Sequence, residues 1–217
     1  KVEKVSSIEK GNFRLLLWNV QMGVWADQGN NYDNFVTWVN KYDPDCFAII
    51  EAETVKKTGS TTGVSSAEKY FTNGWKETAA RFGHSYVANG GNRDSYSQEL
   101  TSKTPITTLQ KITDTDVSGK PVQHGAGHFR ITAGGKEIDI VTMHTWPQSY
   151  APGASDQAAS TAAAEGDYYR LHEVEYVMKQ TVLNPEYASQ TNWIVVGDMN
   201  SRSRADNWYY GYEENST

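Results

Sequence analysis

The sequence predicts an α/β fold, in which short buried strands alternate with helices. The segments 13–21, 46–50 and 192–196 are short apolar runs, which are typical of strands covered on both faces. The segments 33–41 and 167–182 instead carry apolar residues at helical spacing. Because each helical segment lies next to a buried strand along the chain, we expect a sheet whose faces are covered by helices.

Length and composition indicate one globular domain, spanning residues 1–217, with a single sizeable core. Hydrophobic residues make up 38% and charged residues 21%, which argues against disorder. No apolar run approaches the ~20 residues of a membrane-spanning helix. The net charge of −6 disfavours a broad surface for nucleic-acid phosphates, but it is compatible with one phosphate held by a metal ion.

Cys46 is the only cysteine, which excludes an internal disulfide and a cysteine-based metal site. Its apolar neighbours predict a buried core residue and not a nucleophile. The chain begins at Lys1 without a signal peptide, as a processed exported protein or a trimmed sequence would. The 7 Trp and 13 Tyr are a load common in exported proteins that handle glycans or lipids, so we expect an extracytoplasmic (periplasmic or secreted) protein.

The first two strands each lead to a polar residue. Asn19 interrupts the first apolar run, where a buried amide must either tie down a loop or face a site. A helix over 33–41 follows, with Asp33 placed as its N-cap and Pro44 behind its end. The second strand runs directly into Glu51, which is therefore a better site candidate than Glu53, a residue that suits a solvated loop equally well.

The middle of the chain is harder to divide. Residues 56–67 are rich in Gly, Ser and Thr and predict a loop that leads into a short helix from Ser66. We expect a strand over 84–88 and a β-rich stretch over 100–112. The polar segment between them carries two notable side chains, Arg93 and Tyr96.

The second half contains a hairpin, a loop and a helix. Two alternating runs, 127–133 and 136–143, meet at a Gly-Gly pair, which is a strong hairpin signal. The second run exits into His144. Residues 148–166 are small and of low complexity, so we expect a mobile surface loop. The helix over 167–182 should pack on a sheet through one apolar stripe, formed by Leu171, Val174, Met178 and Val182.

The last strand ends in Gly-Asp-Met-Asn. Gly197 would let the chain turn or approach a ligand closely, because it has no Cβ. Asp198 and Asn200 are two residues apart, so on an extended backbone both side chains would point the same way. The alternative is an Asx turn that caps the strand.

Four strands thus deliver polar side chains at their ends: Asn19, Glu51, His144 and the pair Asp198 and Asn200. Open α/β sheets keep their sites at this edge. The set has no paired histidines, which disfavours zinc. Carboxylates and amides, completed by water, are ligands that suit Mg²⁺ or Mn²⁺.

Five segments, in this order and spacing, resemble motifs of the endonuclease/exonuclease/phosphatase (deoxyribonuclease-I-like) superfamily. They are WNVQ at 18–21, PDCFAIIE at 44–51, LTSKTPI at 100–106, TMHTW at 142–146 and VVGDMN at 195–200. The resemblance covers nearly the whole chain. It implies a four-layer α/β sandwich, in which two mixed sheets pack face to face between helices, and it implies hydrolysis of phosphoester bonds with Mg²⁺ (or Mn²⁺).

The resemblance also implies roles for the residues at the strand ends. Glu51 would ligate the metal ion, with Asn19 beside it. Asp198 would orient the attacking water or hold the general base, and Asn200 would hold a phosphate oxygen. His144 matches a position where several members place a histidine that stabilises the phosphate or protonates the leaving group.

Two further points concern the site. Arg93 or Tyr96 would supply a further phosphate contact. After Asn200 the sequence has no Ser-Asp-His-type motif, which in the superfamily supplies a His general base and its Asp partner. We therefore expect a sandwich incomplete at its C-terminal end, with the remaining segment of a longer protein as a possible partner.

Two functions compete. One is a phosphoester hydrolase, or the N-terminal part of one, acting on a small molecule or lipid headgroup in preference to long nucleic acid. The other is a non-catalytic module that keeps the sandwich and binds glycan or protein through aromatic surfaces.

Overall fold

The structure, a computed structural model, describes residues 13–52, 75–91, 96–117, 119–152 and 163–201. Several predictions fall outside these residues, namely those on Arg93, Glu53, the loop 56–67, the helix from Ser66 and most of the loop 148–166.

The first sheet contains four strands in the order β1-β2-β4-β3. They are β1 (Leu15–Asn19), β2 (Cys46–Ile50), β3 (Tyr86–Asn89) and β4 (Gln98–Ser102). β1 and β2 are parallel, and the other two pairs are antiparallel. Because β1 and β2 are parallel with Asn19 opposite Ile50, their polar C-terminal ends lie side by side.

The second sheet also contains four strands, in the order β5-β6-β7-β8. They are β5 (Thr107–Ile112), β6 (Ala126–Ala133), β7 (Lys136–His144) and β8 (Trp193–Asp198). β6 and β7 form the predicted hairpin, and both glycines of its turn have positive φ. β7 and β8 are parallel with His144 opposite Asp198, so two further polar ends lie side by side.

Three apolar clusters define four layers. The central cluster joins the two sheets, for example through Cys46 and Leu100 of the first and Phe129 and Ile140 of the second. The second cluster packs the first sheet against helices α2 (Asp33–Tyr42) and α3 (Lys76–Ala80). The third packs the second sheet against α4 (Ala163–Gln180). The four-layer sandwich of two mixed sheets is therefore confirmed.

The predicted β-rich stretch 100–112 is confirmed, and it contains two strands. β4 and β5 are separate strands in different sheets, and the chain crosses between the sheets around Pro105, which cannot donate to a ladder. The strand predicted over 84–88 begins two residues later, at Tyr86. His84 instead sits buried between the Thr101 hydroxyl and the Pro44 carbonyl.

Asp33 is not the N-cap of its helix. It is the first helical residue, and Tyr32 occupies the cap in a left-handed conformation without a side-chain cap bond. The carboxylate of Asp27 takes over the capping role, because it accepts from the backbone N–H of Phe35 at 2.8 Å and from the side-chain amide of Asn34 at 2.9 Å.

The predicted stripe of α4 is confirmed at Val174, which packs against the third cluster, but not at Leu171. The helix begins four residues earlier than expected, at Ala163, and ends before Val182. Leu171 is 53% exposed, whereas Arg170, Glu173, Val177 and Thr181 are buried. The helix therefore turns a partly polar face to the sheet.

β1 and β8 both lie at the edges of their sheets. Complete burial of the first strand was predicted, but Leu17 is 39% exposed. Neither strand has a second neighbour among the described residues. In that same part of the chain, no helix is both long and apolar enough to cross a membrane.

Candidate active site

The C-terminal ends of β1, β2, β7 and β8 meet at one end of the sandwich. Asn19 and Asp198 are the last residues of their strands, Glu51 directly follows β2, and His144 ends β7. The structure therefore brings together the four strand ends that the sequence singled out. A cavity of about 640 Å³ opens between β1 and β8 at this end, and Asn19, Asp198 and Asn200 line it.

Asn19 links the two sheets. Its side-chain nitrogen donates to Glu51 Oε1 at 3.1 Å and to Asp198 Oδ2 at 2.9 Å. Its side-chain oxygen accepts from the backbone N–H of Gln21 at 3.0 Å. One amide thus holds two carboxylates that come from residues 147 apart in sequence but share one site. Asn19 therefore ties down the loop at Gln21 and also lines the cavity.

Glu51 is held by a strained segment of backbone. Its second carboxylate oxygen accepts from the backbone N–H of Met22 at 3.0 Å, and its carbonyl accepts from Gly23 at 2.7 Å. Both donors belong to α1 (Gln21–Val24), a single turn in which all four residues have positive φ. Glu51 itself has φ 57°. Non-glycine residues reach this region at a cost of about 1–2 kcal/mol each, and such strain is concentrated at functional sites.

Asp198 and Asn200 do not continue an extended strand. The backbone N–H of Asn200 donates to Asp198 Oδ1 at 2.9 Å, and Asn200 has φ 46°, so the chain forms an Asx turn. The side-chain amide of Asn200 donates to the carbonyl of Thr145 at 2.8 Å. Of the two alternatives raised for this pair, the Asx turn is therefore confirmed and the extended backbone is wrong, and the turn keeps both residues at this end of the sandwich.

Glycine occupies position 197 because of strand packing and not because a ligand approaches there. A Cβ at this position would lie 1.9 Å from the carbonyl oxygen of Met143 on β7. Glycine is therefore required because the backbone of the neighbouring strand comes too close for any side chain.

His144 is buried, with 3% of its surface exposed, among aromatic rings. Its Nδ1 lies 3.2 Å from the carbonyl oxygen of Tyr96 and donates to it as N–H. The ring centroid of His124 lies 4.5 Å from that of His144, with the planes tilted by 31°. Burial lowers the pKa of His144 and the nearby His124 lowers it further, whereas the Tyr96 carbonyl, Asp198 and Glu51 raise it.

His124 was missed by the sequence analysis. It is 3% exposed and lies just before β6, where its ring also packs edge-on against Tyr96 at 5.1 Å. Tyr96 is thus placed beside the site, while Arg93 lies outside the described residues. The roles given to Asn19, Glu51, Tyr96 and the other site residues stay predictions.

The donor set suits a hard cation that keeps much of its water. Among the described residues, no three His, Cys, Asp or Glu side chains are grouped closely enough to hold a metal ion by themselves. Glu51 and Asp198 do converge on one amide, however, and Mg²⁺ is commonly held by one or two carboxylates with water and substrate phosphate as the remaining ligands.

No protein-family profile matches the sequence, and no curated protein sequence matches it. Solved structures do. Humanized D. rerio TDP2 matches with a TM-score of 0.51 at 15% identity, over 92% of this chain and 71% of that one. ANGEL2, described as a 2′,3′-cyclic phosphatase, matches with a TM-score of 0.58 at 8% identity, over 91% and 56%. Sphingomyelinase C from Streptomyces griseocarneus matches with a TM-score of 0.57 at 16% identity, over 91% and 67%.

These three structures share the architecture of the endonuclease/exonuclease/phosphatase superfamily. The chain has the deoxyribonuclease-I-like fold. It spans between 56% and 71% of the length of the three solved chains. The ends of β1, β2, β7 and β8, which carry the candidate site residues of this chain, lie at one end of the sandwich.

Proposed function

We propose that this chain carries the site of a metal-dependent phosphoester hydrolase, a phosphodiesterase or a phosphatase. The observation that carries the proposal is the amide of Asn19, which gathers the carboxylates of Glu51 and Asp198 at one point. Two carboxylates held this close attract a cation, because their mutual repulsion is relieved by positive charge. The likeness to a cyclic phosphatase and to a sphingomyelinase supports the same class of reaction.

Glu51 would hold Mg²⁺ (or Mn²⁺), with Asn19 beside it. A rotation of the Asn19 amide by about 180° would exchange its nitrogen for its oxygen, an oxygen ligand of the kind that Mg²⁺ prefers. When bound, the cation would neutralise charge on the phosphoryl oxygens. The N–H of Met22 donates to the second oxygen of Glu51, so the carboxylate would be oriented before any cation binds.

Three side chains would act on the phosphoester. Because His144 donates through Nδ1 to Tyr96, its neutral ring carries the lone pair on Nε2, where it accepts a proton and from where the imidazolium can donate one. Asp198 would orient the attacking water. Asn200 uses one N–H of its amide on Thr145, so the second N–H is left to hold a phosphate oxygen.

The substrate that suits this chain is a small phosphoester or a lipid headgroup. The net charge of −6 opposes a long phosphate backbone, while a cavity of about 640 Å³ has room for one phosphoryl group and its substituent. Tyr96, and Arg93 by analogy, would add contacts to the phosphate. The extracytoplasmic location belongs to this proposal as well.

Three neighbouring aromatic rings support a second candidate function, that of a non-catalytic binding module. Trp18, Trp38 and Tyr42 follow each other at centroid distances of 4.5 Å, and Trp38 is partly exposed. An exposed aromatic ring such as that of Trp38 can pack on the apolar face of a sugar, which is the chemistry expected of a non-catalytic glycan-binding module.

Hydrolysis of bis-p-nitrophenyl phosphate and p-nitrophenyl phosphate separates the two functions. We expect turnover with Mg²⁺ or Mn²⁺, its loss with EDTA, and a fall of at least 10²-fold in kcat for Asp198→Asn. Asp33→Asn, on an exposed helix start, is the matched control and should keep full activity. Absence of turnover under all these conditions, together with binding of oligosaccharide that Trp38→Ala abolishes, would favour the binding module.

A further inference from the structure

The buried face of α4 is polar where it lies over the site. Glu173 is 3% exposed, and Arg170 is also buried, although a helix packed on a sheet normally buries an apolar stripe. Buried charged groups are expensive unless they are hydrogen-bonded. The hydrogen-bond partners of these two side chains therefore indicate the role of the polar face of α4.

Glu173 joins two segments that are distant in sequence. One carboxylate oxygen accepts from the backbone N–H of Gln123 at 2.9 Å, and the other accepts from the backbone N–H of Trp146 at 2.8 Å. Gln123 immediately precedes His124, and Trp146 follows His144 by two residues. A single carboxylate thus fixes the backbone beside both buried histidines.

Arg170, one turn earlier on α4, also binds the backbone at Trp146, but through carbonyl groups. Its guanidinium donates to the carbonyl of Trp146 at 2.8 Å and to the carbonyl of Gln148 at 2.9 Å. Asp167 pairs with Arg170 on the same helix. The backbone of Trp146 is therefore held at its N–H by one side chain of α4 and at its carbonyl by another.

The two histidine rings pack directly on each other. Their centroids are 4.5 Å apart, and the ring of Trp146 also stacks on His124, at 5.9 Å with an interplanar angle of 25°. In a packed stack a shift of one backbone segment moves the neighbouring ring, because there is no void to absorb it.

We propose that Glu173 is a positioning residue for His144: by bridging the amides of Gln123 and Trp146, it sets how the His124 ring packs on the His144 ring and hence where His144 points. Glu173 lies on the outer helix and acts through the backbone and through His124. Its effect on turnover rests on the proposed function, whereas its effect on the two rings does not.

The variant Glu173→Gln tests this with little change in volume. It replaces one accepting oxygen by an NH₂ group that faces a backbone N–H, so one of the two bonds is lost. Glu175→Gln is the matched control, because it makes the same substitution at a half-exposed position on the same helix. Both variants are compared with the wild-type chain by ¹H–¹⁵N spectra of the histidine rings, assigned with His124→Phe and His144→Phe.

We expect Glu173→Gln to shift the ring signals of His124 and His144 together, and Glu175→Gln to leave them unchanged. In turnover of bis-p-nitrophenyl phosphate, Glu173→Gln should lower kcat about 10²-fold, as a displacement near 1 Å does, with little change in KM. In a His144→Ala background the same substitution should have no further effect on kcat.

Unchanged ring signals in Glu173→Gln would overturn the proposal, and so would an equal loss of kcat with and without His144. If the wild-type chain does not hydrolyse the substrate, the proposed function fails and the ring signals still decide on Glu173. Should Glu173→Gln not fold, Glu173→Asp keeps the charge but is one methylene too short to reach both amides, and it should shift the same two rings.

Discussion

Gly197 is the position where a single methyl group should do the most damage to the site. The change is Gly197→Ala in β8. The added Cβ would lie 1.9 Å from the carbonyl oxygen, 2.9 Å from the carbonyl carbon and 3.1 Å from the nitrogen of Met143. All three atoms belong to the backbone of β7, which cannot rotate away as a side chain would. The two strands must therefore separate by more than 1 Å.

This separation has two measurable consequences. Overpacking of this kind costs about 1–3 kcal/mol of unfolding free energy. Because Asp198 directly follows Gly197, its carboxylate is displaced relative to Asn19, and a displacement near 1 Å lowers turnover by about 10²-fold. Urea unfolding followed by circular dichroism measures the first effect, and hydrolysis of bis-p-nitrophenyl phosphate measures the second.

Gly29→Ala is the control for Gly197→Ala, since a Cβ at Gly29 meets nothing within 4 Å. It should change the unfolding free energy by less than about 0.5 kcal/mol. If Gly197→Ala proved as stable and as active as Gly29→Ala, the close approach of β7 and β8 would not be what places Asp198, and the reasoning would be refuted.

Two further predictions concern single side chains. Burial raises the pKa of Glu99 to about 8, so the stability from this group is complete below its unfolded pKa and is lost as pH rises through 8. Between pH 5 and pH 9, Glu99→Gln should therefore become more stable than wild type by up to about 5 kcal/mol in urea unfolding. An unchanged pH dependence would contradict this. Glu186→Gln, on an exposed turn, is its control and should keep the wild-type pH dependence. His144→Ala and Asn200→Ala should each lower kcat by about 10²–10³-fold, about 3–4 kcal/mol, and a loss of tenfold or less at both would make these residues structural.

The strand ends of the site could be predicted because in each of them a hydrophobic pattern is followed directly by a polar side chain. The strands that end at Asn19, Glu51 and Asp198 are apolar runs and the one that ends at His144 is an alternating run, and each stops at a side chain able to bind a ligand. Parallel pairing of β1 with β2 and of β7 with β8 then brings these ends together, as the register confirms. The residues at the strand ends could therefore be predicted from short sequence segments alone.

His124 and Glu173 could not be found in this way. His124 lies in a loop without periodicity, and its contact with His144 spans 20 residues of sequence. Glu173 sits on the buried face of a helix whose apolar residues suggested a different face, with Leu171 at its centre. Apolar periodicity cannot locate a buried polar face, because the free energy that buries Glu173 comes from hydrogen bonds to distant backbone.

Local signals were wrong at the end of one element and left another undecided. Asp33 has the residue type of an N-cap, but a carboxylate six residues earlier, that of Asp27, reaches the exposed N–H of Phe35. Asp198 and Asn200 have extended spacing, but the Asp198 side chain captures the following backbone and turns it. In both cases a side chain that can bond the backbone competes with regular structure, which spacing alone does not reveal.

Calorimetric titration of Mg²⁺ into the wild-type chain and into Glu51→Gln tests the central claim most directly. Glu51 is the carboxylate that Asn19 and Met22 orient, and it adds no apolar contact to the core, so the variant should keep the wild-type circular dichroism spectrum. The account predicts that the wild-type chain binds Mg²⁺ and that Glu51→Gln does not, while Glu186→Gln binds as the wild type does. Equal binding by wild type and Glu51→Gln would contradict the account, because the metal site would then lie elsewhere than at the meeting point of the four strands.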